Sequence, residues 1–176
     1  MQYANAPVID HKGFIIRALS RADMADWYAY LSRVEVYQHT SWNLASAADL
    51  GPSFDAFESS HPDSAIRFAV ADGKTNQLVG TVGLHTVSSL NRSAELSYDF
   101  APEVWGCGLA TACAKASIAW AMRELQLNRL QATVLPGNLA SIRVIERCGM
   151  QREGTLRKFR MVRGTPMDFF LYSVTL

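Results

Sequence analysis

ELSYDFAPEVWGCGLAT, Glu95 to Thr111, changes character twice. Leu96, Tyr98 and Phe100 alternate with more polar neighbours, as a β-strand requires. Pro102 then breaks the strand, and Gly106 and Gly108 bracket Cys107 in a turn. From Gly108 the continuation GLATACAKASIAWAMREL predicts a long helix with an alanine-rich packing face and anchors at Leu109, Ile118, Trp120 and Leu125. A glycine turn at a helix start leaves free amides that can grip an anionic phosphate, and the geometry suits a pyrophosphate. The same Gly-X-Gly also serves as an ordinary tight turn. Thr111 stands where the dinucleotide fingerprint needs its third glycine, and no GxxxxGK[ST] loop is present, so both of those nucleotide readings fall.

Upstream, AIRFAVAD and QLVGTVGLHTV are strand-like runs separated by Gly73-Lys74-Thr75-Asn76, an antiparallel hairpin, and SSLNRS turns the chain into AELSYDF. Downstream, RLQATVL reads as a buried strand and NLASIRVIERCGM as a short helix stopped at Gly149. LRKFRMV and DFFLYSVTL follow as strands around Gly164-Thr165-Pro166. At the other end, Phe14 to Ile16 predict a strand, and a helix carrying Met24, Trp27, Tyr28 and Leu31 begins at Ser20 or Asp23. Between His39 and Ser64, Trp42, Leu50, Phe54 and Phe57 suggest one or two short helices interrupted at Gly51-Pro52 and ended by His61-Pro62. That segment either caps a substrate cleft or is a surface excursion. The order β, helices, β-β-β, α, β, α, β-β describes one mixed α/β domain over residues 1–176, not a regular βαβ repeat.

The chain's 176 residues suffice for one well-packed domain; 49% are hydrophobic and 19% charged, which excludes a charge-driven disordered chain. A formal net charge of +1 gives no bulk attraction to nucleic acid or anionic membrane. No run approaches a bilayer span and no leader pattern opens the chain. Three cysteines, Cys107, Cys113 and Cys148, have no CxxC spacing, which favours a reducing compartment; a cytoplasmic location is expected. The four histidines show no metal-ligand spacing, so no metal site is expected.

ELSYDFAPEVWGCGLAT followed by RLQATVLPGNLASIRVIERCGM resembles the acetyl-CoA-binding half of the GNAT superfamily of N-acetyltransferases, specifically the branch of ribosomal-protein N-terminal acetyltransferases. The resemblance extends from IIRALSRADM to DFFLYSVTL. It implies a central mixed, largely antiparallel, splayed β-sheet flanked by helices, with acetyl-CoA inserted between two diverging strands. It further implies that Phe100 offers backbone contacts to pantetheine, and that the turn from Trp105 and Gly106 through Cys107, Gly108, Leu109 and Ala110 to Thr111 surrounds the pyrophosphate with its amides. Superfamily members often carry Gln or Arg before the first glycine; Trp105 stands there, removing a polar contact but leaving the backbone mechanism.

Asn138 can cap the helix that follows it, and Ser141 lies one turn inward; both can be purely local. In the resembling branch the asparagine organises the cofactor pocket and the serine lies near the CoA sulfur. Ile145 occupies the position where many superfamily members place a tyrosine, so Ser141 is the preferred contact for the departing thiolate. Attack on a thioester requires a neutral amine, and Glu95 is the best carboxylate to take its proton, directly or through water. Glu95 also reads as a charged residue on a half-exposed strand. Backbone donors near Leu96 to Tyr98 could hold the developing oxyanion. Cys107 belongs to the turn, with no local base to activate it, and Cys113 and Cys148 read as core. His85 reads as a strand or turn residue that could face the acceptor cleft.

The expected function is transfer of acetyl from acetyl-CoA to a primary amine, first a protein N-terminal α-amine and alternatively a polyamine, antibiotic or other small amine. A non-catalytic acyl-CoA-binding module is the reading from a different class. RKFRMVR holds four basic residues, but its apolar alternation describes a strand with a solvated face, so no specific nucleic-acid binding is expected, and no membrane partner. Phe169, Phe170 and Tyr172 fit either the core or a homodimer edge.

Overall fold

β2 (Ile66–Asp72) and β3 (Leu78–Ser88) form the hairpin, with Ile66 opposite Leu84 and Val70 opposite Gly80. β4 (Ser93–Phe100) pairs back onto β3. In the computed structural model, which describes residues 5–175, these strands sit in a seven-stranded sheet of order β1-β2-β3-β4-β5-β7-β6. The remaining strands are β1 (Phe14–Ala18), β5 (Arg129–Val134), β6 (Gln151–Val162) and β7 (Thr165–Thr175). Every neighbour is antiparallel except β4 and β5, which are parallel.

Strand alternation divides the core between two faces. Phe68 and Val70 of β2 pack with α4 (Leu109–Glu124) and α5 (Leu139–Arg147), while Ala69 between them packs with α1 (Met24–Leu31) and α3 (Gly51–Glu58). On α4 the buried residues are Leu109, Cys113, Ala114, Ser117, Trp120 and Ala121, one helical stripe whose small members let the helix lie close to the sheet. Trp120 meets Phe68 edge-on at 5.2 Å between ring centroids. Burying side chains of the size of Trp27, Phe54 or Leu130 contributes about 1.5–3 kcal/mol each.

The feature that positions the site is a short pairing. β4 and β5 share three register pairs, ending at Glu95 opposite Gln131. Beyond that point β4 continues on β3 to Phe100, and β5 continues on β7 to Val134. The two central strands therefore part, leaving Leu96–Phe100 and Ala132–Val134 as facing edges of a cleft.

Several expectations change in detail. Both proposed helix starts are used: Ser20 opens a 3₁₀ turn, Arg21–Asp23, and Asp23 leads into α1. Gly51-Pro52 does not interrupt a helix but begins α3, because proline is tolerated in the first turn where its missing N–H has no partner to lose. α3 ends at Glu58, before His61-Pro62, and a further short helix, α2 (Val34–Tyr37), precedes this region. β7 lies inside the sheet between β5 and β6, so buried Phe169 and Tyr172 are core residues and the sheet edge belongs to β6. No helix among the described residues is long and apolar enough to cross a membrane.

Candidate active site

The glycine turn has the backbone its sequence requires. Gly106 and Gly108 adopt φ values of +77° and +84°, and a Cβ at either would meet nothing within 4 Å, so the space in front of the turn is open. Leu109 begins α4, and the first main-chain bond into the helix runs from the Ala112 amide to the Gly108 carbonyl. The amides of Leu109, Ala110 and Thr111 thus have no acceptor among the described residues. Trp105 turns its side chain back on the strand: its indole N–H donates to the Phe100 carbonyl at 2.9 Å, fixing the end of β4 to the turn. Gly80 holds the same place from the other side, since a Cβ there would overlap the Phe100 ring. His11 Nε2 donates to the Cys107 carbonyl at 3.1 Å, tying the N-terminal segment to the turn.

Cys107 is exposed, and its thiol donates to the Val104 carbonyl at 3.0 Å. Burial pushes the Cys113 thiol up to about 12 and raises that of Cys148, so neither offers a ready thiolate.

Asn138 caps α5 through its side chain, Oδ1 accepting from the Ser141 amide at 3.0 Å. The cap fixes the helix entry and with it Ser141, whose hydroxyl lies 2.8 Å from the Tyr98 hydroxyl. Tyr98 is a cleft residue whose side chain the sequence left without a role. It sits on the α4/α5 face of β4 with Leu96 and Phe100, and it spans the gap from β4 to α5. Burial raises its pKa well above the ordinary phenol value, so it stays protonated through neutral pH. Ile145, at the position where the resembling families often place a tyrosine, is buried. Tyr98 brings a phenol from the strand instead of the helix.

Glu95 is buried rather than half-exposed, with 2% of its side chain accessible. Its Oε1 accepts from Thr133 Oγ1 at 2.5 Å and from Arg160 Nη2 at 2.9 Å. Arg160 was assigned by its alternation to a solvated face of β6; it turns inward to neutralise Glu95. His85, opposite Glu95 in the β3–β4 register, places Nε2 3.7 Å from Glu95 Oε1.

On the α1 side, Asp99 Oδ1 accepts from Trp27 Nε1 at 3.0 Å, Tyr30 OH at 2.5 Å and Thr81 Oγ1 at 2.9 Å, while Oδ2 is bound by Arg67. Arg67 also donates to Ser97 Oγ at 2.5 Å and lies over the Trp27 ring. This network anchors the β4 wall of a cavity of about 540 Å³. Ser97, Tyr98, Thr133 and Ser141 line it along the strand gap, and Trp42 and Phe57 close it from the region after α2, which is therefore a wall of the cleft. A second recess of about 520 Å³ shares His39 and Leu135 with it and runs on to Pro166, Met167 and Asp168.

A sheet opened between its parallel strands, with a phosphate-ready helix start at one end and paired hydroxyls at the gap, defines an acyltransferase of the splayed-sheet type. Residues 14–151 match the family model described as an acetyltransferase (GNAT) domain, and the chain belongs to that family of N-acetyltransferases. It is 29% identical over 170 residues, 96% of each chain, to the uncharacterized N-acetyltransferase YoaA of Bacillus subtilis. It is 30% identical over 108 residues, 61% of this chain and 62% of the relative, to the spermidine N(1)-acetyltransferase of Vibrio cholerae. The solved ribosomal-protein-S5-alanine acetyltransferase of Vibrio fischeri shares the fold, with a TM-score of 0.80 at 19% identity over 94% of each chain.

Proposed function

We propose that the protein transfers acetyl from acetyl-CoA to the N-terminal α-amine of a peptide or protein. The observation that carries this acceptor class is the charge balance of the wall along the strand gap: Glu95 is matched by Arg160 and Asp99 by Arg67, and the carboxylate in the adjoining recess, Asp168, accepts from the Lys158 amide, so no cluster of surplus carboxylates faces the gap to hold a polycation. The cavity also continues past His39 into the second recess, a path along which the residues behind an amino terminus can lie.

The residues present fit acetyl-CoA. The open cradle at Gly106 and Gly108 and the free amides of Leu109 to Thr111 would receive the pyrophosphate, and the parted edges of β4 and β5 would flank the pantetheine chain. Acetyl-CoA supplies an activated acyl group and a thiolate leaving group. Ser141 and Tyr98 form the hydroxyl pair that supplies a proton or hydrogen bond to the departing sulfur, with Asn138 holding Ser141 in place. Main-chain amides within Leu96–Tyr98, where β4 has left β5, are positioned to stabilise charge on the carbonyl oxygen. Glu95 serves the opposite end, where the amine must lose a proton, and it acts there with its neighbours because its own carboxylate is already occupied by Thr133 and Arg160.

Similarity to a spermidine acetyltransferase makes the polyamine the competing acceptor. The test is a mass-spectrometric assay with acetyl-CoA and three acceptors: peptides with free amino termini, the same peptides blocked at the terminus but carrying lysine, and spermidine. One added acetyl on the free terminus and none on the blocked peptides is expected. Spermidine turning over with the higher kcat/KM would replace the acceptor assignment.

A further inference from the structure

We infer that His85 accepts the proton of the attacking amine and that Thr86 is its positioning residue. The inference deepens the proposed acetyl transfer to an amine and rests on it.

His85 lines the cavity and keeps a third of its side chain accessible, whereas Glu95 beside it is closed off. Glu95 Oε1 is taken by Thr133 and Arg160, its Oε2 faces Gln131 Nε2 at 3.4 Å, and only 2% of the side chain is accessible, so the carboxylate is poorly placed to meet an incoming ammonium. Two imidazoles line the cavity among the described residues: His39, on the side shared with the second recess, and His85, which stands beside Glu95 and meets solvent, where it can discharge.

The backbone around His85 is built in an uncommon way. The β3–β4 register slips between His85 and Ser88, a bulge of the kind that re-aims a side chain. Within it Thr86 has φ +50°, and it is the β-branched residue among the described non-glycine positions with positive φ. Such a conformation is costly for threonine and persists where the surroundings hold it. Its outcome is a hydroxyl 2.8 Å from His85 Nδ1. We assign the ring proton to Nδ1, donating to Thr86 Oγ1; with Nε2 3.7 Å from Glu95 Oε1, beyond hydrogen-bond reach, that tautomer leaves the Nε2 lone pair to the cavity.

The charged groups facing the ring are Glu95 from β4, Arg160 from β6 and Arg67 from β2. Burial lowers the His85 pKa first; Glu95 pulls it up, and Arg160 and Arg67 push it down again. The net direction is downward, so the ring is neutral and able to accept a proton at neutral pH.

Nε2 takes one proton from the ammonium, freeing the nitrogen lone pair. The new C–N bond forms as the C–S bond breaks with its electron pair going to sulfur. The hydroxyl pair of Tyr98 and Ser141 gives that sulfur a proton and is restored by the second proton the nitrogen sheds on becoming an amide. His85 passes its own proton to water, the single proton released when an ammonium is acetylated.

Two readouts test this. In the free protein, ¹⁵N NMR of the histidine ring should show a neutral imidazole protonated at Nδ1 at pH 7, with a pKa below the ordinary value of about 6.5. In single-turnover transfer to an α-amine peptide, His85→Gln should lower the rate at pH 7 by about tenfold or more and converge on the parent above the amine pKa of about 8, with CoA affinity unchanged. The parent's acidic limb should lie below the usual histidine range. Thr86→Gly, which relaxes the backbone but removes the hydroxyl, should move that limb upward as the loosened ring meets more water, and Thr86→Ser should restore it. Should His85→Gln prove poorly folded, His85→Asn takes its place, and the NMR measurement needs neither variant. A parent-like pH profile in the folded variant, or a ring charged at pH 7 or protonated at Nε2 while the parent turns over, overturns the inference and leaves the acceptor reading standing. Failure of the parent to acetylate any amine overturns the acceptor reading, and this inference with it.

Discussion

Gly108→Trp is expected to fold and to lose acetyl-CoA affinity by about a hundredfold or more. The position has φ +84°, so a side chain there strains the backbone by about 1–2 kcal/mol, which a packed domain tolerates. Nothing lies within 4 Å of the added Cβ, and the indole is therefore free to occupy the space in front of the α4 amides. Those amides would make charge-assisted bonds to pyrophosphate oxygens, each worth about 1.5–3 kcal/mol; losing two of them accounts for the predicted weakening. Calorimetric titration with CoA, alongside circular dichroism to confirm the fold, measures it. Affinity equal to the parent's in a folded variant would move the pyrophosphate elsewhere.

The largest effect on stability should come from Asp99→Ala. Arg67 and Asp99 have side chains only 7% and 5% accessible, and the carboxylate also accepts from Trp27, Tyr30 and Thr81. Truncation leaves a buried guanidinium without its counter-charge and three donors without an acceptor, a loss of about 3–5 kcal/mol. For a domain of this size that corresponds to a melting temperature lower by roughly 6–20 °C. The double variant Arg67→Met/Asp99→Leu should recover the part due to the unpaired guanidinium, while the three donors left without Asp99 keep it below the parent. A melting temperature for Asp99→Ala within error of the parent's would show that the pair is not a structural anchor of the β4 wall.

The readable parts of the sequence were those in which local chemistry and tertiary structure agree. The β2–β3 hairpin, the Gly106–Gly108 turn and the alanine-faced α4 each carry their own signal in spacing and turn residues. Gly51-Pro52 misled because the same dipeptide that breaks a helix interior is well suited to a helix start, and only the packing of Phe54 and Phe57 on Trp27 tells which applies. Glu95 and Ser141 were placed by resemblance, and the cleft does bring their walls together. Their partners were hidden for a physical reason: Arg160 lies on β6 and Tyr98 faces α5, so both contacts join distant segments across a gap that no local period encodes. A tyrosine at a core-facing position of β4 was nevertheless a signal, since a buried phenol needs a partner for its hydroxyl.

The most direct measurement is a crystal structure of the protein with a conjugate in which CoA sulfur is linked through an acetyl bridge to the α-nitrogen of a short peptide. The expected arrangement has the pyrophosphate against the amides of Leu109 to Thr111, the sulfur within hydrogen-bond reach of the Tyr98–Ser141 pair, and the peptide nitrogen toward His85 with the chain leaving past His39. A conjugate seated with its sulfur away from Ser141, or with its peptide outside the cavity between β4 and β5, would contradict it.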